Sequence, residues 1–190
     1  MKTYFWFNQN RLLSHLRRSF SALAIVGASF PLLSAGAGTR TYATGNFFPC
    51  FNYLSAQFLP AGSGPTNFIT ALITFKVTAD ITSTTTFNGS LAGSELDVVH
   101  SSDGSIDLEG TLVFKGSLNG GPSGEMIFSY TGKGNKYTGS ETLHIVGSQG
   151  TGGLAGVYFE GTAQGNVGGI KAGCAIAGNG TWTGYIISVP

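Results

Sequence analysis

The chain is poor in charge. Asp, Glu, Lys and Arg make up 10% of its 190 residues, against roughly 25% in an ordinary soluble domain. Its net charge is +1, so no basic excess points to nucleic acid. Cysteine is scarce at 2, proline at 6 and histidine at 3. Strong helix formers are few, and from Thr41 onward no window of twelve residues keeps a helical period. Glycine follows no Gly-X-Y repeat, which excludes collagen. What fills the space is Ser, Thr and 30 Gly, about twice the usual glycine share of roughly 7%. Hydrophobic residues reach 42% and aromatic ones 12%, too apolar for a disordered chain. One domain is the natural count at this length.

The few charges divide along the chain. Lys2, Arg11, Arg17, Arg18 and Arg40 precede Thr41 with no acid among them, whereas 5 basic and 9 acidic residues follow it, a net of −4. A mildly apolar run from Phe20 to Leu33 leads to Ala35-Gly36-Ala37, a small-residue cleavage pattern. Basic start, apolar middle and small exit read as a secretory signal over residues 1–37, leaving one domain over 38–190. Arg17-Arg18-Ser19-Phe20 resembles the bacterial twin-arginine export signal, although the Leu at 16 and the missing Lys after Phe20 depart from it. The competing reading is an uncleaved anchor. Gly27, Ser29 and Pro31 make it a poor one, so no stable membrane span is expected once the signal is removed. The expected location is secreted or periplasmic.

In an exported protein two cysteines commonly pair. A bridge between Cys50 and Cys174 would constrain the unfolded chain by about 4 to 5 kcal/mol in the loop-entropy model. Two separate buried thiols are the alternative. Asn88-Gly89-Ser90 and Asn179-Gly180-Thr181 are glycan acceptor patterns, but Asn-Gly is also a hairpin-turn dipeptide, and the turn is the expected role.

Period-2 alternation recurs along the mature chain. It is clearest over 105–116, where Ile106, Leu108, Gly110, Leu112 and Phe114 share one face. Similar runs cover roughly 41–54, 67–80, 81–91, 94–101, 123–131, 137–147, 154–165 and 172–188. Turn chemistry separates them at Asp103-Gly104, Asn119 to Pro122, Gly132 to Asn135 and Asn166 to Gly169. The stretch 55–66, with Pro60 and Pro65, reads as a loop over one barrel mouth. Gly89 to Gly93, Gly116 to Gly120 and Gly152 to Gly156 echo one another at unequal spacing, which argues against a solenoid and for reused turns. Sequential hairpins form a meander whose edges need closing. The expected fold is all-β, an up-and-down antiparallel barrel of about eight strands, with a β-sandwich as the alternative.

Chemical motifs are few. Gly150 to Ala155 has the letters of a dinucleotide fingerprint, but the strand-like Val157-Tyr158-Phe159 follows instead of a helix. His15 falls in the signal. His100 and His144 lack a second ligand at metal-binding spacing, so neither metal nor cofactor is expected. No Ser sits in a hydrolase elbow. Chemistry is left to polar groups facing inward. Leu96, Val98 and His100 share a face, as do Met126, Phe128 and Tyr130, and Tyr137, Gly139, Glu141, Leu143 and Ile145. Turned inward, they would place His100, Tyr130, Tyr137 and Glu141 among apolar walls, the makeup of a small-ligand site. A slip of one residue would turn each face outward, and a small barrel can also be filled by its own side chains.

Several phrases together resemble a known group. Ala43 to Phe47, Thr86 to Gly93, Gly124 to Gly132 and above all Gly147 to Gly161 resemble a largely bacterial family of unknown function placed among the allene oxide cyclase-like barrels, fold relatives of plant dirigent proteins. The resemblance covers roughly 41–188. It implies an eight-stranded barrel with a mainly apolar cavity for a small hydrophobic or lipid-derived molecule. If such a barrel is an enzyme, it is a cyclase or isomerase that controls the conformer of a reactive substrate. Otherwise it is a carrier, or a structural barrel with a filled lumen. The plant cyclase's catalytic positions do not match this chain residue by residue. The apolar segment 68–80 and the cysteine pair also depart from the bacterial pattern.

Overall fold

The computed structural model describes residues 38–59, 70–82 and 86–189. The export signal expected over 1–37 and residues 60–66 of the expected loop lie outside the described residues, whereas 55–59, expected as loop, continue strand pairing with the next strand. Eight strands follow one another: β1 (Thr39–Leu59), β2 (Thr70–Thr82), β3 (Phe87–His100), β4 (Ser105–Leu118), β5 (Ser123–Asn135), β6 (Ser140–Gly152), β7 (Val157–Gly169) and β8 (Ile176–Ser188). Each pairs antiparallel with the next, and β1 also pairs with β8, so the sheet closes into a barrel. Closure leaves no unpaired edge, and it rules out the two-sheet sandwich.

The alternation follows from this closure. Every strand shows one face to the lumen and one to solvent. On β4 the inward face is Ile106, Leu108, Leu112 and Phe114, and on β5 it is Met126, Phe128 and Tyr130, as the periodicity predicts. The runs 81–91 and 94–101 are not two elements. Residues 87–100 form the single strand β3, in which the Gly89 to Gly93 phrase lies mid-strand and is no turn. The Asn-Gly dipeptides of both glycan patterns also lie within strands, Asn88 in β3 and Asn179 in β8. Residues 132–135 belong to β5 and 166–169 to β7, so those connections fall later than expected, at 136–139 and 170–175. Several glycines inside the strands face an aromatic ring, as Gly45 does Trp182 and Gly110 does Tyr130, and others, such as Gly93 and Gly124, face the backbone of a neighbouring segment. Where turns do occur, the backbone needs the left-handed region, as at Asn119 (φ 53°) and Gly120 (φ 69°).

The lumen has two unlike ends. Towards the β4–β5 and β6–β7 turns it is packed with rings. Phe87 lies 5.4 Å from Phe114, 5.8 Å from Phe128, 5.9 Å from Phe159 and 6.0 Å from Trp182, mostly edge to face. Such pairs add about 0.5–1.5 kcal/mol each beyond the area they bury. Inward glycines make the room. A Cβ on Gly45 would fall on the Trp182 indole, and one on Gly161 or Gly184 on the Phe159 ring. Leu154 of the β6–β7 turn is fully buried beneath them.

At the other end, the 170–175 connection is fastened to β1. Cys50 and Cys174 form a disulfide with Cα atoms 5.3 Å apart, spanning 124 residues of sequence. The Asn52 side-chain amide donates to the Gly173 carbonyl at 3.3 Å, and its Oδ1 accepts from the Ala175 N–H at 3.1 Å.

Candidate functional site

Between these ends the lumen changes from apolar to acidic. Glu95 and Asp97 project inward from β3, Tyr130 from β5 and Glu141 from β6, and all four are buried. Their meeting is a matter of register. Glu95 pairs with Gly110 of β4, and Gly110 with Tyr130 of β5. Lacking a Cβ, Gly110 lets the Tyr130 ring lie across β4, where any side chain would collide with it. The Tyr130 hydroxyl thereby donates to Glu95 Oε2 at 2.7 Å. On β6, Glu141 lies beside Gly134 of β5.

The electrostatics follow from burial without a counter-charge. Among the described residues none of the ion pairs includes Glu95, Asp97 or Glu141. Desolvation pushes the Glu95 carboxyl up to about 9, helped by the negative charge of Asp97 and resisted by the Tyr130 hydrogen bond. Glu141 rises to about 7, again chiefly by desolvation and then by Asp97. Asp97 rises to about 6 by desolvation and is held back by a hydrogen bond from Glu95. The Tyr130 hydroxyl is pushed up by burial and by Glu95, so it stays a donor. Near neutral pH, Glu95 is therefore a neutral acid that donates to Asp97, the most readily ionised of the three.

Two voids meet at this layer. One, of about 70 Å³, is walled by Val77, Leu91, Phe128, Phe159 and Trp182 and reaches Glu95, Tyr130 and Glu141. The other, of about 240 Å³, lies towards the disulfide end. It is lined by Tyr53, Phe75, Asp97, Val99, Lys136 and Ile176, and it also touches Glu95 and Glu141. Two polar atoms buried here have no hydrogen-bond partner among the described residues, Asp97 Oδ1 and the Trp182 indole nitrogen. A buried polar group left so costs about 1–3 kcal/mol. No group of three or more His, Cys, Asp or Glu could hold a metal ion among the described residues.

Of the residues singled out from the sequence, Tyr130 and Glu141 face the lumen together, but His100 and Tyr137 do not. On β3 the inward set is Phe87, Leu91, Glu95, Asp97 and Val99, one residue out of step with the Leu96, Val98 and His100 face expected. His100 instead sits at the outer rim, with its Nε2 3.3 Å from Asp107 Oδ2. Tyr137 belongs to the exposed β5–β6 turn and is 67% exposed. Its ring covers Gly104 and its hydroxyl donates to the Ser101 carbonyl at 3.4 Å. Glu95 and Asp97 were hidden because 94–100 taken alone has apolar residues at both parities. Extending that run back to Phe87 and Leu91 reveals the inward set, since Asn88, Ser90 and Ser94 occupy the other parity.

A scan against protein-family models finds no match to the chain, and a search of curated proteins finds none either.

Proposed function

We propose that this is an exported barrel that holds one small, mainly apolar molecule in its lumen, with the molecule's polar group seated against Glu95, Tyr130 and Glu141. The observation that carries this reading is the pair of voids meeting at a buried polar layer inside apolar walls, the usual makeup of a ligand cavity. Residual space of this kind speaks against a lumen wholly filled by side chains. A disulfide, and the lack among the described residues of any helix long and apolar enough to cross a membrane, are compatible with an extracellular or periplasmic protein. Membership of the allene oxide cyclase-like barrels belongs to the same proposal. It is supported by the phrases quoted above and by the number and order of the strands.

A second reading, conformer-controlled isomerisation, has one observation in its favour. Glu95, Asp97 and Glu141 all line one cavity, and burial raises all three, which suits carboxyls to exchange protons with a bound molecule near neutral pH.

Native mass spectrometry of the oxidised chain, after exposure to a mixture of small terpenoids and cyclic or branched apolar alcohols and amines, tests the binding reading. The expected result is a one-to-one adduct that Leu143→Trp, which fills the cavity wall, abolishes. A spectrum showing only the bare chain would refute it.

A further inference from the structure

Three features of the carboxyl layer go beyond a generic apolar cavity. The first is an uncompensated negative site. Asp97 is 6% exposed, lines the larger void, and keeps Oδ1 without a partner. A buried carboxylate oxygen in that state is an acceptor built without its donor. The second is the lack of a resident cation. Among the described residues, Lys136 of the β5–β6 turn is the one basic side chain lining the void, and its ammonium lies 4.9 Å from the Tyr137 ring centroid at the exposed rim. Of the others, Arg40 stacks on Tyr185, Lys115 pairs with Glu125, and Lys133 pairs with Asp107. The segment 60–69, between β1 and β2, contains no Lys, Arg or His. The third is aromatic surface beside the acids. Phe75 lies 5.7 Å from Phe51 and 4.9 Å from Tyr53, and all three line the void that Asp97 lines. Ring faces next to carboxylates are the surroundings an organic ammonium prefers.

We infer that the lumen selects a protonated amine with an apolar body, its ammonium facing Asp97, Glu141 and Glu95, its body lying against Phe51, Phe75 and the walls of the inner void. This deepens the ligand-binding reading and rests on it. The groups facing the ammonium are Glu95 and Asp97 from β3, Tyr130 from β5, Glu141 from β6, Tyr53 from β1 and Lys136 at the rim. β2 and β4 present Ile73, Phe75 and Ile106 to the same void, with no charge. A carboxylate ligand would place a fourth acid among three and would be rejected by repulsion. Because the carboxyls hold protons more tightly than free ones do, amine binding releases protons. The inner void limits the body to one ring or a short branched chain.

Calorimetry on the full oxidised chain at pH 8 tests this with three ligands of one shape: cyclohexylmethylamine, cyclohexylmethanol and cyclohexanecarboxylate. The amine is expected to bind at least tenfold more tightly than the alcohol, with the carboxylate weakest. In two buffers of unlike ionisation enthalpy, the amine alone should show net proton release. Asp97→Asn should lower amine affinity about tenfold and leave alcohol affinity unchanged, so retained alcohol binding reports that the variant is folded. If Asp97→Asn does not fold, the amine-to-alcohol affinity ratio and the proton release of the wild-type chain decide alone. Alcohol binding equal to or tighter than amine binding would overturn the amine inference and leave the cavity reading standing. Amine affinity unchanged in the variant would do the same. Failure of all three ligands to bind would overturn both.

Discussion

At one end of the lumen, Phe87 touches four other rings and Leu154 is fully buried beneath them. At the other, Glu95, Asp97 and Glu141 are nearly as well buried but are carboxyls with no cation paired to them among the described residues. Burial is common to both ends, and its energetic sign is opposite. Removing rings from water stabilises the fold by about 25 cal/mol per Å², while removing carboxyls from water opposes it unless they are paired or protonated. The ring end thus holds the barrel shut, and the carboxyl end is a place where folding is traded against readiness to bind. The disulfide lies towards that second end, closing the 170–175 connection onto β1.

This contrast can be broken in several ways. The largest effect is expected from the covalent clasp. Cys50→Ser together with Cys174→Ser should lower unfolding free energy by about 5 kcal/mol, the loop-entropy value for a span of 124 residues. Urea unfolding with and without reductant measures it, and an unchanged midpoint would mean that closure of the sheet alone holds the connection. Phe114→Ala comes next, at about 3–5 kcal/mol, since its ring is fully buried between Phe87 and Phe128. Gly110→Ala should cost about 1–3 kcal/mol by overpacking, as its methyl would collide with the Tyr130 ring and part it from Glu95. Loss of the short Tyr130 hydroxyl hydrogen bond, seen in the amide shifts of β3, would mark that mechanism, and an undisturbed bond would refute it.

The smallest effect has the opposite sign and separates the two ends most cleanly. Glu95, Glu141 and Asp97 bind protons in the folded chain at about 9, 7 and 6, against 4.5, 4.5 and 3.8 when free. Between those values the folded state holds protons that the unfolded state has lost. Stability from these groups is therefore complete below about pH 4 and falls as pH rises through 6, 7 and 9. Asp103 and Asp107, exposed and held low by Ser105 and by His100 with Lys133, work the other way and lose their contribution only in acid. The ligand-free protein should be most stable near pH 4, and its Tm should decline steadily to pH 9. Glu95→Gln should flatten the upper part of that decline and raise Tm at pH 9, whereas Phe114→Ala should shift the whole curve down without changing its slope. A wild-type Tm that is flat or rising over pH 5–9, followed by circular dichroism, would show that the carboxyls are not desolvated as described.

Much of this molecule was legible before its structure. Strand periodicity, turn dipeptides and a sheet needing closure are local properties, carried by residues a few positions apart, and they led to a barrel of about eight strands. The shared faces of β4, β5 and β6, on the last two of which Tyr130 and Glu141 lie, followed from the same alternation. The cysteine pairing was open between two readings, and the approach of β1 to the 170–175 connection decides it. Parity on β3 was not legible from residues 94–100, because both Leu96 and Val98 on one side and Val99 on the other are apolar, and alternation fixes only which residues share a face. Which face is buried depends on neighbours across the strand pair. Likewise no property of Glu95, Gly110 or Tyr130 alone reveals their association, since they lie 15 to 35 residues apart. The closed sheet brings them into one row, and the missing Cβ of Gly110 lets a phenol reach a carboxyl two strands away.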